Sequence, residues 1–469
     1  MKRSIAKRIA VAVLAACAAP LAATAQDGPA EAGLWKGPYD TPVVGIHSVV
    51  LPNGRILQWS YPVFDPEVTH AVVLDPRAKE ARFAPLDVFA FCGGQSVLPS
   101  GHVLVGGGSL VIDDVTRGLP TTRLFDPSTE TWHAFPDMLL GRYYPTQLSL
   151  GEGRTLSLSG LDQFGRSNPL VEAFGALGRW GLLLGAEAAL DLYPFVHLLS
   201  NGDVFVAGPG NLSLALDVGA RRWRPVAFTL SPDRHHGTSV LVPGARDRVM
   251  LVGGGSPPTA ACETIDVRTD GGPSHFEPTG SLHVPRSHPN VVILPDSTIL
   301  AVGGETPDGG AAMAAEIYDP ATGTWRLAAA MRVPRTYHST AVLLPDGSVL
   351  ASGSDLEFRS EIYRPPYFFR GARPRLASAP DAAAWGETIA VGTPDAARIA
   401  SVAFVRPAAT THSVNADQRL VPATFAAAPG GLSIDVPADP NELPPGFYML
   451  FIVDSAGRPS RAKFVRVGS

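Results

Sequence analysis

Charge is scarce in this chain, and each scarcity narrows what the protein can be. Charged residues make up 17% of its 469 positions, with 38 Lys and Arg against 43 Asp and Glu and a formal net charge of -5. That balance leaves no basic face for a phosphate backbone, so nucleic acid is excluded as a partner. Helical periodicity is equally rare. Beyond the first residues no stretch approaches the ~20 apolar residues needed to span a bilayer, so no transmembrane helix is expected. Cysteine occurs three times, at Cys17, Cys92 and Cys262. What abounds instead is 48 glycines and 44 prolines, the composition of turn-rich β structure.

The amino terminus, MKRSIAKR followed by apolar residues from Ile9 to Ala23 and the small-residue site Ala23-Thr24-Ala25, has the layout of an export signal over residues 1–25. Secretion or periplasmic location is expected. Leu14-Ala15-Ala16-Cys17 also fits a lipoprotein box, in which Cys17 would be acylated and hold the protein at the cell surface. Removing the signal and its four basic residues takes the net charge to about -9. It leaves Cys92 and Cys262, either bridged or as two inert buried thiols.

A phrase of the type Leu-Pro-x-Gly-x-x-Leu recurs seven times, anchored at Leu51, Leu98, Leu150, Leu199, Val242, Leu294 and Leu344. The anchors are 47, 52, 49, 43, 52 and 50 residues apart, the period of one four-stranded propeller blade. In most of the phrases Pro presets φ and Gly supplies a positive φ, and apolar runs flank the turn as in a hairpin. Three units add Asp, a short turn and Trp132, Trp223 or Trp325, read as packing between blades. The expectation is an all-β protein, a seven-bladed kelch-type β-propeller over residues 26–365. From 366 to 469, alternating segments such as Ser401–Val405 and Gly446–Val453 between Pro, Gly and Asp turns predict an immunoglobulin-like (early-set) β-sandwich.

Equivalent positions of a propeller share a radius and a height. Six residues before each anchor stand Gly45, Cys92, Tyr144, Tyr193, His236, His288 and His338, with Tyr337 just before the last. This position opens the innermost strand, so one ring around the channel carries a thiol, two phenols and three imidazoles. Imidazole and phenolate suit Cu(II), and Cys92 and Tyr144 fall on adjacent blades. Taken singly, each such residue is more often channel lining than a ligand.

The segments Phe91-Cys92, Arg142-Tyr143-Tyr144-Pro145-Thr146, Leu192-Tyr193-Pro194-Phe195-Val196, Arg335-Thr336-Tyr337-His338-Ser339 and Thr411 to Arg419 resemble the copper radical oxidases, which include galactose oxidase and glyoxal oxidase. Glu361 to Phe369 resembles the glyoxal oxidase branch. The resemblance implies one copper ion held by Tyr144, Tyr337, His338 and His412. It implies a self-generated thioether between Cys92 and Tyr144 that stores a tyrosyl radical, and Tyr337 as the axial phenol that accepts a proton. It further implies oxidation of small aldehydes, as hydrates, or primary alcohols with O2 and release of hydrogen peroxide; a monomer is expected. Tyr193, His236 and His288 match no ligand and are read as pocket lining, His197 and His235 as solvated or structural, and Cys262 as a spare thiol. His412 falls in a loop of the sandwich, which must therefore dock on one face of the propeller.

Two departures stand out. Galactose oxidase places a tryptophan over the thioether, whereas the corresponding turn here, Ser159 to Arg166, has none. Galactose oxidase also carries an extra N-terminal carbohydrate-binding domain, while this chain is expected to enter its first blade almost at once, which argues against a dedicated galactose enzyme. The alternative to an oxidase is a non-catalytic kelch propeller that binds protein or glycan at the cell surface.

Overall fold

The computed structural model describes residues 28–61, 69–112 and 115–468. The export signal and Cys17 lie outside the described residues. Seven antiparallel sheets form a propeller, and the inner strands of the blades are His47–Val50, Gly94–Val97, Thr146–Ser149, Phe195–Leu198, Thr238–Leu241, Asn290–Ile293 and Ser339–Leu343. These strands are almost wholly buried, which is why they read as continuous apolar or small runs rather than as alternating ones. Two of the three tryptophans are hydrogen-bonded from blade to blade, whereas Trp325 is buried with its Nε1 unpaired among the described residues. Trp132 Nε1 donates to Ala84 O of the preceding blade and Trp223 Nε1 to Ala186 O of its own predecessor, at 2.9 and 2.8 Å.

The chain does not enter its first blade directly. Leu34–Asp40 forms the outermost strand of the seventh blade, pairing antiparallel with Arg359–Arg364 (Trp35 opposite Tyr363). Closing the last sheet with the first strand ties the two ends of the ring and leaves no open seam.

The last part of the chain is a sheet of seven strands that folds over on itself. Leu420–Ala428 makes the fold: its first residues pair with Ile399–Val405 and its last with Gly431–Asp435. Phe404, Leu450 and Ile452 point into the sandwich, among Ile389, Ile434 and Tyr448. Their alternates Val405, Met449 and Phe451 join the propeller core with Leu294 and Leu343. One strand thus serves two cores, and the sandwich covers the propeller face that carries the Leu-Pro turns; Gly101, for instance, lies against Phe447. The ring of functional candidates is at the opposite ends of the inner strands.

Arg406 to Arg419 leaves the sandwich as a buried hairpin that enters the central channel from that covered side. Ala409–Thr411 becomes a fifth, innermost strand of the first blade, with Thr411 opposite His47. Ser149 N and Oγ donate to the Asp417 carboxylate at 2.9 and 3.0 Å, Ile293 N to Gln418 Oε1 at 3.2 Å and Gln95 Nε2 to Thr410 O at 2.7 Å, so several blades grip it. Among the described residues no helix is long and apolar enough to cross a membrane. Cys92 and Cys262 are free and buried, so the bridge left open by the sequence is absent.

Candidate metal centre

All six side chains of the ring sit in the left-handed backbone region, with φ of 61° at Cys92, 64° at Tyr144, 47° at Tyr193, 61° at His236, 54° at His288 and 64° at His338. Residues with a Cβ rarely adopt this conformation, and each instance costs about 1–3 kcal/mol. The cost is offset by what surrounds the turn. Arg142, Arg234 and Arg286, two residues before their ring positions, and Arg335, three before His338, are buried. Their guanidinium groups donate to the carbonyls of Ser159, Gly253, Gly303 and Gly353, at the ends of the second strands. The first three also pair with buried Glu172, Glu263 and Glu316 at 2.9, 2.5 and 2.6 Å. A belt of backbone bonds links neighbouring turns: Tyr144 N donates to Cys92 O at 2.9 Å and Tyr193 N to Tyr144 O at 2.8 Å.

His412, at φ 49°, arrives at the tip of the hairpin and meets this ring from below. Thr411 Oγ1 donates to Ile46 O at 2.9 Å, so it accepts from His412 Nδ1 at 2.6 Å and leaves Nε2 with its lone pair facing the channel. His338 is oriented in the same sense. Its Nδ1 donates to Asp355 Oδ1 at 2.5 Å, and its Nε2 is buried without a partner. The two imidazoles cross at 86° with centroids 4.7 Å apart. His412 Nε2 lies 3.5 Å from Cys92 Sγ, and the donor atoms of Cys92, His338 and His412 all fall within 4.8 Å of one another. The hydroxyls of Tyr144 and Tyr337 are hydrogen-bonded to each other beside them.

Asp355, on the outer nitrogen of His338, is a charge at the border of this pocket. Burial, with the neighbouring imidazoles of His338, His47 and His288, holds His412 well below the ordinary histidine range, and burial lowers His338 against the opposing pull of Asp355. Burial pushes the Cys92 thiol and the Tyr144 and Tyr337 phenols far up. Neutral imidazoles with free lone pairs and phenols whose ionisation lacks a countercharge form a donor set that a dication completes. A nitrogen and phenolic oxygen set of this kind suits copper.

The remaining candidates divide. His288 packs on Tyr337 at 4.7 Å and His236 on His288 at 4.5 Å, forming an imidazole wall on the open side, with His236 exposed. Tyr193 lies instead behind Tyr144, stacked at 4.4 Å and 6% exposed. Tyr143, for which the sequence suggested no role, stacks on Tyr144 at 4.0 Å and 17°. The missing tryptophan thus leaves no gap: two tyrosines flank Tyr144. His197 is buried and bonded to Ser239 Oγ at 2.7 Å, while His235 is exposed beside Asp233. Asp355, Thr411, His47 and the four arginines escaped the sequence reading. The arginines had a signal, an offset of two residues from the ring position in three units and of three in a fourth. A surface cavity of about 680 Å³ beside Arg55, Arg82 and Glu130 is remote from the ring, and those two arginines are already paired with Glu130.

Residues 39–364 match the family described as Glyoxal oxidase N-terminus, and residues 373–467 match the galactose oxidase-like early set domain. The chain belongs to the glyoxal oxidase family of copper radical oxidases. Within that breadth it is 26% identical to galactose oxidase of Gibberella zeae over 93% of this chain and 70% of that one. It is also 26% identical to aldehyde oxidase GLOX of Vitis pseudoreticulata, over 92% of this chain and 93% of the relative. In fold it resembles a fungal alcohol oxidase of the AA5 family, with a TM-score of 0.83, 24% identity and coverage of 94% of this chain and all of that one. Like that family, the chain is a copper-dependent oxidoreductase.

Proposed function

We propose that this protein oxidises small aldehydes, through their hydrates, or primary alcohols with O2, releasing hydrogen peroxide. The observation that carries the reading is the convergence of two imidazole lone pairs, two phenols and a thiol at one buried point, delivered by three blades and the hairpin. His338, His412, Tyr144 and Tyr337 would hold one copper ion, and Cys92 would be joined through sulfur to the Tyr144 ring. When bound, copper supplies one of the two electron-accepting equivalents, the cross-linked tyrosine the other.

The side chains define the remaining steps. Tyr337, hydrogen-bonded to Tyr144 and stacked on His338, is placed to take the proton of a substrate hydroxyl. Tyr144 then removes a hydrogen atom from the adjacent carbon. Tyr143 and Tyr193, on its two sides, exclude water from the oxidised ring. His288 and His236 face the approaching substrate; burial lowers His288 to about 3, and partial desolvation with the neighbouring His235 lowers His236. The overall change converts an aldehyde hydrate to an acid, or an alcohol to an aldehyde, as O2 becomes peroxide. Homology to an aldehyde oxidase over nearly the full length of both chains supports the aldehyde. Action outside the cytoplasm, as a monomer, completes the proposal.

A peroxide-release screen of the copper-loaded protein against glyoxal, methylglyoxal, glycolaldehyde, galactose and simple alcohols tests it. Turnover of an aldehyde is expected, and no peroxide from any of them with copper bound would overturn it. The thioether has its own test. After reduction the copper-treated chain should be about 2 Da lighter than the untreated chain, and Cys92→Ser should abolish the difference.

A further inference from the structure

Cys92 is the member of the ring whose strained turn is held differently. At Tyr144 and Tyr193 the backbone N–H donates to the carbonyl of the preceding ring residue. The N–H of Cys92 donates instead to a side chain, Nε2 of His47, at 3.1 Å. The arginine that secures Tyr144 or His288 has no counterpart here, since position 90 is Ala90. His47 is wholly buried, and both of its nitrogens are used. Gln95 Nε2 donates to Thr410 O, so Gln95 Oε1 faces His47 Nδ1 at 2.8 Å and must accept a proton from it; Nε2 is then the acceptor for Cys92. The imidazole also lies flat on Trp59, at 4.5 Å and 9°. One fixed tautomer, in one orientation, joins the backbone of the thiol to the hairpin that carries His412.

We infer that His47 is a positioning residue for the coupling of Cys92 to Tyr144, an inference that rests on the oxidase reading. In that coupling the Cys92 S–H and a ring C–H of Tyr144 break, a C–S bond forms, and two protons and two electrons pass to O2, which leaves as hydrogen peroxide. The chemistry needs the sulfur to stay beside the ring while both are oxidised. A thiol on a left-handed turn with no anchored N–H would relax toward ordinary φ and carry the sulfur away. His47 prevents this without entering the metal's reach, because its acceptor nitrogen is occupied.

Two substitutions separate the acceptor from the packing. His47→Phe keeps a flat ring on Trp59 and removes the acceptor, whereas His47→Gln offers an amide oxygen to Cys92 and an N–H to Gln95 but no ring. The rate of thioether formation is read by mass after reduction, on copper and O2 addition, with thermal unfolding of each variant as the control. His47→Phe is expected to slow the loss of about 2 Da by roughly tenfold or more, and His47→Gln to recover most of the rate. Cross-linking of His47→Phe at the wild-type rate, or of His47→Gln no faster than His47→Phe, would overturn the inference. So would a rate that simply follows the unfolding temperature. Should His47→Phe not fold, Gln95→Leu breaks the same pair from its far end, and the same slowing is required of it. Failure of the wild-type chain to cross-link at all would instead sink the oxidase reading.

Discussion

Four blades hold their ring residue from the outside and one holds it from within. In the third, fifth, sixth and seventh blades a buried arginine spans from the approach to the ring residue to the end of the second strand. In the second blade, where the thiol sits, His47 and the hairpin do the holding from the channel side. The same strained turn can thus be secured by charge in the blade wall or by a neutral network in the core. The first couples the site to the stability of the wheel, the second to the hairpin. Substitutions in the two systems should therefore fail in different ways, one in folding and the other in metal handling.

The largest effect should come from the wall. Arg142→Met strands the buried Glu172 carboxylate and should cost about 3–5 kcal/mol in denaturant unfolding, while Arg142→Met with Glu172→Leu should recover much of it. An unchanged midpoint in the single variant would show that the guanidinium is not what secures Tyr144.

Next comes the core. Thr411→Val removes the acceptor of His412 Nδ1 and frees the ring to rotate, so copper affinity by competitive chelation should fall about 10–100-fold. The metal-free protein should lose less stability than Arg142→Met does, about 1–3 kcal/mol, because Ile46 O is left without its donor. Asp355→Asn on the other imidazole should cost less, because Asp355 is 58% exposed and competes with water for His338. Equal losses from the two variants would erase the distinction between buried and exposed support.

The smallest effect is a pH dependence in a blade outside both systems. Burial lowers His197 to about 3, so in the folded state it stays neutral while the unfolded chain takes up a proton below pH 6.5. The unfolded state then binds more protons, and stability falls as pH drops from about 6.5 toward 3. Between pH 8 and 5.5 this group should cost about 1 kcal/mol, and His197→Gln should flatten that part of the melting profile. A profile of unchanged slope in the variant would assign the acid sensitivity to other imidazoles.

Much of this was legible in the repeat. A count of six residues back from each Leu-Pro turn placed Cys92, Tyr144, Tyr193, His236, His288 and His338 on one ring, because strands of fixed length convert sequence offset into height. It could not show that all of these residues take positive φ, since nothing in Tyr or His favours that region and the support comes from arginines whose partners lie up to 30 residues away. The hairpin was equally hidden: Ala409–Thr411 is too short and too bland to read as a strand, and it forms only against the edge that His47–Val50 presents. Leu34–Asp40 was hidden by Pro38 in its middle, tolerable at an outer edge where that position needs no N–H.

The insertion of Arg406 to Arg419 also sets a timetable for maturation. The thiol and three of the four proposed copper donors are synthesised with the propeller, but His412 is made only near the end of the chain and comes to the channel on a loop of the sandwich. A nascent wheel therefore offers copper an incomplete nest. On the proposed reading, commitment to the metal, and any oxidative chemistry that follows, is deferred until the sandwich has closed beneath it.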